Sequence, residues 1–427
     1  MKLCIFEDEK FDNLYPLTYL RPVFELKCGA TSLEEKIIRA FPKADVCYFV
    51  RDWMAESYKA RANGRPVNDM SALMGGDILL VNGRLLMKDF DLAAKGEDEI
   101  AICDDDVVYV RLKAATAEKC KAADLGKCLA MAKAVVGAKE VKAPMIRYPW
   151  DLIDNNPSMI TLDFQAAGKK GIEGSFSDKA AIYGDEKLVY VAPGAEIHPF
   201  VTLDTRQGPV TIAEGAEVHP YTRIEGPSYI GRKTTLFGAK IREGTSVGEV
   251  CRVGGELEES IFHSYSNKYH DGFIGHAYIC QWINLGALTS NSDLKNDYKT
   301  VELYMKGQLM DSGSTKVGCF IGDHTKTSIG TLFNTGTMVG CMSNVVGGSG
   351  ILPKYIPSFV MVMNNKFYKV GFKQQTATAR TAMGRRKLEL SEADEALLQH
   401  VFDMTKDDRM PLIKQSRKEL SQEAGLA

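Results

Sequence analysis

The 427-residue sequence lacks several features that would assign it to a class at once. It has no apolar run near the ~20 residues of a membrane-spanning helix. Its ten cysteines include no C-x-x-C pair, which argues against a zinc site or a disulfide framework. A formal net charge of −2 gives no reason to expect nucleic acid or a membrane as a partner. The opening MKLCIFEDEKFDN turns acidic early and is not typical of a signal peptide, so a cytoplasmic protein with reduced thiols is predicted.

The first part of the chain alternates short apolar segments with helix candidates. The strand candidates are KLCIF at 2–6, VCYFV at 46–50, DILLVNGRLL at 77–86 and AICDDDVVYVRL at 101–112. Ser32 and Glu35 have capping-box spacing before an apolar helical face, and a long helix is predicted near 114–136. This alternation predicts an α/β domain with a largely parallel sheet, whose ligands bind in the turns after Phe6 and Val81.

From about residue 189 the sequence adopts a six-residue period. Segments that each open on an aliphatic residue include VAPGAE, IHPFVT, IAEGAE, VHPYTR and, later, IGDHTK and VGCMSN. Neither a helix nor an alternating strand has this period, so we expect a parallel β-helix in which three hexapeptides form one triangular coil. Repeats of this class are left-handed and usually trimeric. Two stretches, 256–273 and 290–316, depart from the period, and the second is predicted to be a projecting loop that carries binding residues.

The predicted fold is therefore α/β followed by β. We place the α/β domain at 1–160, a linker at 161–188, a left-handed β-helix at 189–368 and a helical tail at 369–427. In the tail, Ser391 and Asp394 have the spacing of a helix start.

Histidine is scarce, with seven in the chain, and three of the seven lie close together. His263, His270 and His276 fall in or beside the stretch from Tyr265 to Tyr298, among glycines and amides. A free imidazole titrates near pH 6.5 and accepts a proton at neutral pH, so this stretch is the first candidate for acid–base chemistry. His198 and His219 precede proline at matching repeat positions, which favours solvent-facing corners.

These motifs resemble a known family. LYPLTYLRPVFELKCG, VNGRLL, YPWDL, YSNKYHDGFIGH, NLGALT and SDLKNDYKTV are similar to a divergent branch of the bifunctional glucosamine-1-phosphate acetyltransferase/N-acetylglucosamine-1-phosphate uridyltransferases. The resemblance implies a sugar-nucleotide enzyme with two activities and a UDP-N-acetylglucosamine-type product. One is acetyl-CoA-dependent N-acetylation of an amino-sugar phosphate, and the other is Mg²⁺-dependent transfer of a nucleotidyl group to a sugar 1-phosphate. It also implies a homotrimer whose substrates include a nucleoside triphosphate and a sugar phosphate.

The resemblance assigns roles on the β-helix. His270 falls at the family's general base, Phe273 where the family has a tyrosine, and Asn284 at a sugar contact. The family's acetyl-CoA lies between adjacent coils, which implies Ala287 and His324 as its neighbours. The loop supplies Asn296 and Tyr298 as further sugar contacts. The family's sugar-phosphate lysines fall on Glu258 and Glu259, so Lys268 or Arg252 is predicted to hold the phosphate instead.

The resemblance also assigns roles in the first domain. Nucleotidyltransferases carry a glycine-rich loop after the first strand, whereas this chain has FEDEKFDN, without glycine. The predicted nucleotide-binding residues are Arg21, Lys27, Asn82 and Arg84, and the predicted metal ligands are Asp104 and Asp151.

These departures leave two alternatives open. In the first, only one activity is retained and the other domain binds ligand for regulation. In the second, the chain is a non-catalytic trimeric scaffold, which the polar interruptions disfavour.

Overall fold

The structure is a computed structural model, and it describes residues 1–348 and 350–425. The chain forms two compact units. The first comprises residues 1–14, 20–26 and 31–148, and the second comprises 15–19, 27–30 and the described residues from 149 onward. The predicted domain end at 160 lies inside a helix of the second unit.

The first unit is built on a six-stranded sheet. Its strands are β1 (Lys2–Phe6), β2 (Asp45–Phe49), β3 (Ile78–Asn82), β4 (Glu99–Cys103), β5 (Asp106–Leu112) and β6 (Lys139–Glu140), in the order β2-β1-β3-β5-β4-β6. Strand β1 is parallel to both of its neighbours, whereas β5 is antiparallel to β3 and β4. The sheet is therefore mixed. The segment 101–112, predicted as one strand, contains a hairpin turn at Asp104 and Asp105, whose φ values are 48° and 69°. Aspartate tolerates this left-handed region better than most residues.

Four α-helices belong to the first unit. Helix α1 (Leu33–Ala40) begins with the predicted capping box, in which the Ser32 hydroxyl accepts from the Glu35 amide and the Glu35 carboxylate accepts from the Ser32 amide. Helix α2 spans Ala55–Lys59. The predicted long helix is two helices, α3 (Ala114–Lys119) and α4 (Leu125–Val136). One core joins β1, β3 and β5 to α4 through Cys4, Leu80, Val110, Cys128 and Ala132.

The second unit consists of helix α5 (Pro149–Ala167), a parallel β-solenoid and a helical tail. One face of the solenoid is a sheet of ten strands, Gly171–Ile172, Val189–Val191, Val210–Ile212, Ser228–Ile230, Thr245–Glu249, Ile261–Ser264, Tyr278–Ile279, Cys319–Ile321, Thr337–Val339 and Tyr355–Ile356. The first of these strands lies within the predicted linker. The predicted repeating β architecture is confirmed, and pairing begins earlier than the clear hexapeptide phase.

Two further faces complete each coil. The second face contains the strands Ser175–Phe176, Glu196–Ile197, Glu217–Val218, Asn267–Lys268, Lys326–Thr327, Asn344–Val346, Val360–Met363 and Lys366–Lys369. The third face contains the strands Ala181–Tyr183, Thr202–Asp204, Arg223–Glu225, Phe273–Gly275, Ser290–Asn291 and Leu332–Phe333. The longer strands Thr235–Ile241 and Arg252–Glu258 run through both of these faces. The aliphatic residues of the hexapeptide period fill the interior, where Val191, Ile212, Ile230 and Val247 are in register and fully buried.

The predicted loop at 290–316 interrupts the coils, but its first two residues, Ser290–Asn291, still form a coil strand, so the interruption begins after Asn291. It contains an antiparallel hairpin of Glu302–Met305 and Gln308–Asp311. The tail forms α6 (Phe372–Gly384), α7 (Glu392–Met404) and α8 (Lys406–Glu423), and Ser391 caps α7 at the Asp394 amide as predicted. Within residues 1–348 and 350–425, none of the helices combines the length and the apolar character that crossing a membrane requires.

Candidate functional site

The carboxyl ends of β1 and β3 bring acidic and basic side chains together in the first unit. The Arg84 guanidinium is fully buried, donates from Nε to Asp8 Oδ1 at 3.0 Å, and lies 3.0 Å from Asp106 Oδ1. The Asn82 amide donates to Asp8 Oδ2 at 2.8 Å, and Lys10 Nζ lies 2.5 Å from Asp106 Oδ1. Two carboxylates and two cations thus balance each other in formal charge at this edge.

The structure brings together only some of the residues predicted for nucleotide and metal. Asn82 and Arg84 are adjacent and joined by a 2.9 Å hydrogen bond from the Arg84 amide to Asn82 Oδ1. Arg21 is buried, and Lys27 belongs to the second unit, where its amide donates to the Tyr278 hydroxyl. Asp104 is paired with Arg147 at 2.7 Å.

These contacts bear on the magnesium ion that the resemblance implies. The Asp106 Oδ2 atom is buried and accepts no hydrogen bond from the described residues. An oxygen atom that binds a metal ion would have this environment when the ion is absent. However, Arg84 and Lys10 already neutralise Asp106 and its neighbour Asp8. A divalent ion would therefore meet no net negative charge among these four residues. The predicted ligand Asp151 lies in α5, in the second unit. The residues at this edge do not fit a resident magnesium ion.

On the solenoid, a polar ladder crosses one outer face. Arg252 pairs in register with Asn267, and backbone bridges join Asn267 to Asn284 and Asn284 to Lys326 in the next coils. The two amide side chains are 3.4 Å apart. Asn267, Asn284 and Lys326 of this ladder border a cavity of about 390 Å³. Its opposite wall is formed by α6 and the two residues that follow it, and it includes Thr378, Thr381, Arg385 and Arg386. This volume lies within the range of small-molecule sites.

Three cationic side chains, Lys326, Arg385 and Arg386, line this cavity. The Arg386 guanidinium donates to Asn267 Oδ1 at 3.3 Å, and burial, together with the nearby Arg252 and Arg385, lowers its pKa. Burial also lowers the pKa of Lys326 to about 8. Among the described residues that line the cavity, none is an aspartate or a glutamate. Cations that lack carboxylate partners and repel one another are suited to an anionic ligand, because the ligand relieves the repulsion.

An aromatic wall closes one side of this cavity. Tyr265 and Trp282 occupy the same corner of successive coils, with φ values of 53° and 61°, and their rings stack at 4.6 Å between centroids. His324 follows at that corner in the next coil and lies parallel to Trp282. The cavity therefore combines a flat apolar surface, amides and cations, which is the usual composition of a site for a polar organic anion.

His270, the predicted base, lies at a different corner of the coil and is exposed to solvent. Its backbone is held firmly because the buried Lys268 ammonium donates to the carbonyl oxygens of His270 and Asp271. Burial lowers the pKa of Lys268 to about 8. Lys268 thus fixes this corner, and its ammonium group is turned to carbonyls of its own chain.

The remaining predicted residues are spread around the same coils. Phe273 donates its amide to the Ser290 hydroxyl, Ala287 accepts from the Gly330 amide, and His324 is buried beside Trp282. Asn296 and Tyr298 are exposed on the projecting loop.

Sequence reasoning did not connect His276 to its partners. This buried imidazole lies 2.8 Å from Asp293 through Nδ1 and 3.5 Å from Glu259 through Nε2. Glu258 pairs with Lys316 at 3.2 Å. Both glutamates at the family's lysine positions are therefore engaged by cations or by histidine. The signal was the coil length, which places Asp293 one coil after His276.

Arg385 and Arg386 were also missed. They follow Gly384 at the end of α6, and nothing in the local pattern shows that α6 packs beside the ladder.

Comparisons with known proteins found similarity to sugar nucleotidyl transferases in the first part of the chain. Residues 3–170 match the family model described as sugar nucleotidyl transferase. A bifunctional sugar-1-phosphate nucleotidylyltransferase/acetyltransferase of Sulfurisphaera tokodaii is 33% identical over 124 residues, which cover 29% of each chain. The match thus spans less than a third of that relative's length.

Solved structures that match part of the chain have low similarity to it. A UDP-N-acetylglucosamine acyltransferase of Francisella novicida is 12% identical, with a TM-score of 0.28, over 60% of this chain and 85% of that chain. The D94A mutant of AntD, an N-acyltransferase from Bacillus cereus in complex with dTDP and coenzyme A, is 13% identical, with a TM-score of 0.15, over 48% and 87%. At these values neither structure bears on the activity of this chain.

The family match falls on the part of the chain that holds the mixed sheet and its charged edge, and it includes all of α5. Residues 3–170 therefore match the sugar nucleotidyl transferase family model, in agreement with the resemblance drawn from the sequence.

Proposed function

We propose that the chain is a sugar-nucleotide-forming transferase with two reactions. The first domain would transfer a nucleotidyl group to a sugar 1-phosphate, and the solenoid would N-acetylate an amino-sugar phosphate from acetyl-CoA. The family match of residues 3–170 carries this proposal, and the printed name of the Sulfurisphaera tokodaii relative supports the pairing of the two reactions. The product would be of the UDP-N-acetylglucosamine type.

In the nucleotidyl reaction, an oxygen of the sugar 1-phosphate attacks the α-phosphorus of the triphosphate, and pyrophosphate leaves. We propose that Mg²⁺ enters with the triphosphate, because the carboxylates at the sheet edge are already neutralised. Arg84 and Asn82 would then shape the edge. Lys10, a partly exposed cation there, and Arg21 would be the groups that meet the phosphates.

In the acetyl transfer, the amine attacks the thioester carbonyl, the carbon–sulfur bond breaks, and coenzyme A leaves as the thiol. His270 would accept the ammonium proton that develops on the amine and return it to the departing sulfur. Lys268 acts as a positioning residue by fixing the carbonyls of the His270 corner.

The cationic cavity would bind the amino-sugar phosphate. Arg252 and Arg386 would hold its phosphate, and Asn284 would contact the sugar. Lys326, whose ammonium group donates to the Trp282 and His324 carbonyls, would add positive charge beside the phosphate. Asn296, Tyr298 and Phe273 would make further sugar contacts, and Ala287 and His324 would border acetyl-CoA.

The His270 corner supports the predicted homotrimer. Leu288, in the next coil, is 60% exposed and donates its amide to Asp271, and Ile329, one coil further, is 75% exposed. Exposed aliphatic side chains stacked along one corner are typical of a buried subunit contact. A second protomer seated there would enclose His270, and the measured mass in solution should be three times that of the chain. We place this trimer in the cytoplasm, as the reduced thiols suggest.

A two-substrate assay tests the proposal. Acetyl-CoA with glucosamine 1-phosphate should release free thiol, and UTP with N-acetylglucosamine 1-phosphate should release pyrophosphate. His270→Ala should lower thiol release by about 10²–10⁴-fold, the usual contribution of a general base, and leave pyrophosphate release unchanged. His400→Ala, an exposed histidine in the tail, is the matched control. Absence of both products from the wild-type chain across several amino sugars and nucleotides would refute the proposal.

A second candidate is that only the acetyl transfer is retained and the first domain binds ligand for regulation. The neutral edge around Arg84 favours it, because a catalytic site for a triphosphate normally presents unpaired cations. Calorimetry would then show UTP or sugar-nucleotide binding without pyrophosphate release. A non-catalytic scaffold would show neither binding nor turnover.

A further inference from the structure

Two successive coils carry the same five-residue motif, Ala-Glu-aliphatic-His-Pro. It occurs at 195–199 and again at 216–220. The strands are in register, with Glu196 opposite Glu217 and Ile197 opposite Val218. Ile197 and Val218 point into the core, so the glutamate and histidine on either side of each share the outer face. The repeat therefore places two carboxylates and two imidazoles in one surface patch.

The nitrogen atoms of this patch converge on one carboxylate oxygen. His219 Nε2 lies 3.2 Å from Glu217 Oε1, and His198 Nε2 lies 3.4 Å from the same oxygen. The three ligand atoms all lie within 4.8 Å of one another. His198 Nε2 is buried yet has no hydrogen bond to any residue in the ranges 1–348 and 350–425.

Ring stacking alone does not explain these residue types. The rings of His198 and His219 stack at 4.8 Å, and Phe237 continues the stack at 4.7 Å from His219. One coil later, the phenyl ring of Phe237 therefore takes the stacking position of the histidines, and Thr235 occupies the position of the glutamates. The nitrogen and carboxylate atoms are confined to the two coils in which they meet.

We propose that His198, His219 and Glu217 form a binding site for a divalent transition-metal ion of the zinc class. Zinc prefers imidazole nitrogen and carboxylate oxygen at about 2.0–2.2 Å, so the side chains would rotate to bring these three atoms around one ion. The three side chains are 29%, 31% and 41% exposed, so the patch lies at the surface, although His198 Nε2 itself is buried. Glu196, 3.8 Å from His198 Nε2, is the nearest further ligand. The ion would join the two coils, and neither proposed transfer reaction passes through it.

Cobalt and zinc titrations of the untagged, chelator-treated full chain test this site. One Co²⁺ per chain should bind, with visible absorption bands that Zn²⁺ abolishes, and Zn²⁺ should raise the thermal midpoint. His219→Phe keeps the ring stack but should weaken Zn²⁺ binding at least tenfold, and Glu217→Gln should weaken it similarly. His400→Gln, at an exposed position outside the patch, is the control and should bind as the wild type does.

Either of two results would overturn the site. One is no Co²⁺ or Zn²⁺ binding by the wild-type chain at micromolar concentration. The other is equal binding by the wild type and a folded His219→Phe variant, which would assign the metal to other residues. Thiol and pyrophosphate release serve as independent readouts and should not change in His219→Phe.

Discussion

The charged edge of the first unit and the cationic cavity of the second differ in how their arginines are paired, and the pKa values of these arginines shift in opposite directions. At the sheet edge, burial disfavours the charged form of Arg84, but Asp8 and Asp106 outweigh it and raise its pKa. In the cavity, burial and the neighbours Arg252 and Arg385 lower the pKa of Arg386. The first arrangement satisfies its own charges and stabilises the fold. In the second, the cations donate only to neutral oxygens and meet no aspartate or glutamate among the described residues that line the cavity, which suits an anionic ligand.

The comparison shows why arginine in a predicted site is not evidence of a ligand by itself. Arg84 was predicted from the VNGRLL motif to bind nucleotide, and its five donors are largely directed at carboxylates and at the Ile146 carbonyl. Arg386 was not predicted, and it faces a cavity. The number of carboxylates within reach distinguishes the two roles.

Removing the charge at the sheet edge should have the largest effect on stability. Arg84→Met leaves the buried Asp106 and its neighbour Asp8 without their shared partner, which should cost about 3–5 kcal/mol. Hydrogen exchange in β1 and β3 measures this loss in the first unit by itself. Arg147→Met breaks the exposed pair with Asp104 and should cost less than about 1 kcal/mol. Equal losses in the two variants would contradict the structural role of Arg84.

Removing a cation from the cavity should affect binding rather than stability. Arg386→Gln should weaken amino-sugar phosphate binding by about 10–100-fold, since a charge-assisted hydrogen bond contributes about 1.5–3 kcal/mol. Calorimetry with glucosamine 1-phosphate measures the change. Arg417→Gln, at an exposed position in α8, is the control. Unchanged affinity in Arg386→Gln would show that the cavity is not the phosphate site.

The same binding should depend on pH through Lys326. Burial lowers its pKa to about 8, so its positive charge is present below pH 8 and lost above it. The phosphate remains a dianion above about pH 6, so affinity should fall about tenfold between pH 7 and pH 9. Lys326→Arg stays charged and should flatten this dependence. The effect on folding has the opposite sign. Lys326 binds its proton less tightly in the folded chain than in the unfolded chain, so the free energy of unfolding should rise as the pH increases from about 8 towards the ordinary lysine pKa.

The projecting loop should give the smallest effect. Tyr298 is 72% exposed, so Tyr298→Ala should change the free energy of unfolding by less than about 0.5 kcal/mol. If it contacts sugar as predicted, KM for the amino-sugar phosphate should rise less than tenfold with kcat unchanged. A large loss of stability would mean that the loop packs on the coils in solution.

Sequence patterns that span only a few residues predicted much of the fold. The capping box of Ser32 and Glu35 and the aliphatic phase of the hexapeptides both depend on contacts a few residues apart, and both are present as predicted. The hairpin at Asp104 and Asp105 was missed because β4 and β5 are both apolar and only two turn residues separate them. The interruption at 290–316 was found because its polar residues cannot fill a coil interior.

The sequence by itself determined the order of an α/β region and a β-helix, because periodicity and capping are local properties of the chain. It also determined which residue types were available for chemistry near His270. Only the tertiary structure decided which of those residues meet. Stacking of coils places Arg252, Asn284 and Lys326 in one ladder and brings His198 and His219 to one carboxylate, and the packing of α6 adds Arg386. Charge compensation and ligand convergence depend on distances between atoms, and residues far apart in sequence set those distances only when the chain is folded.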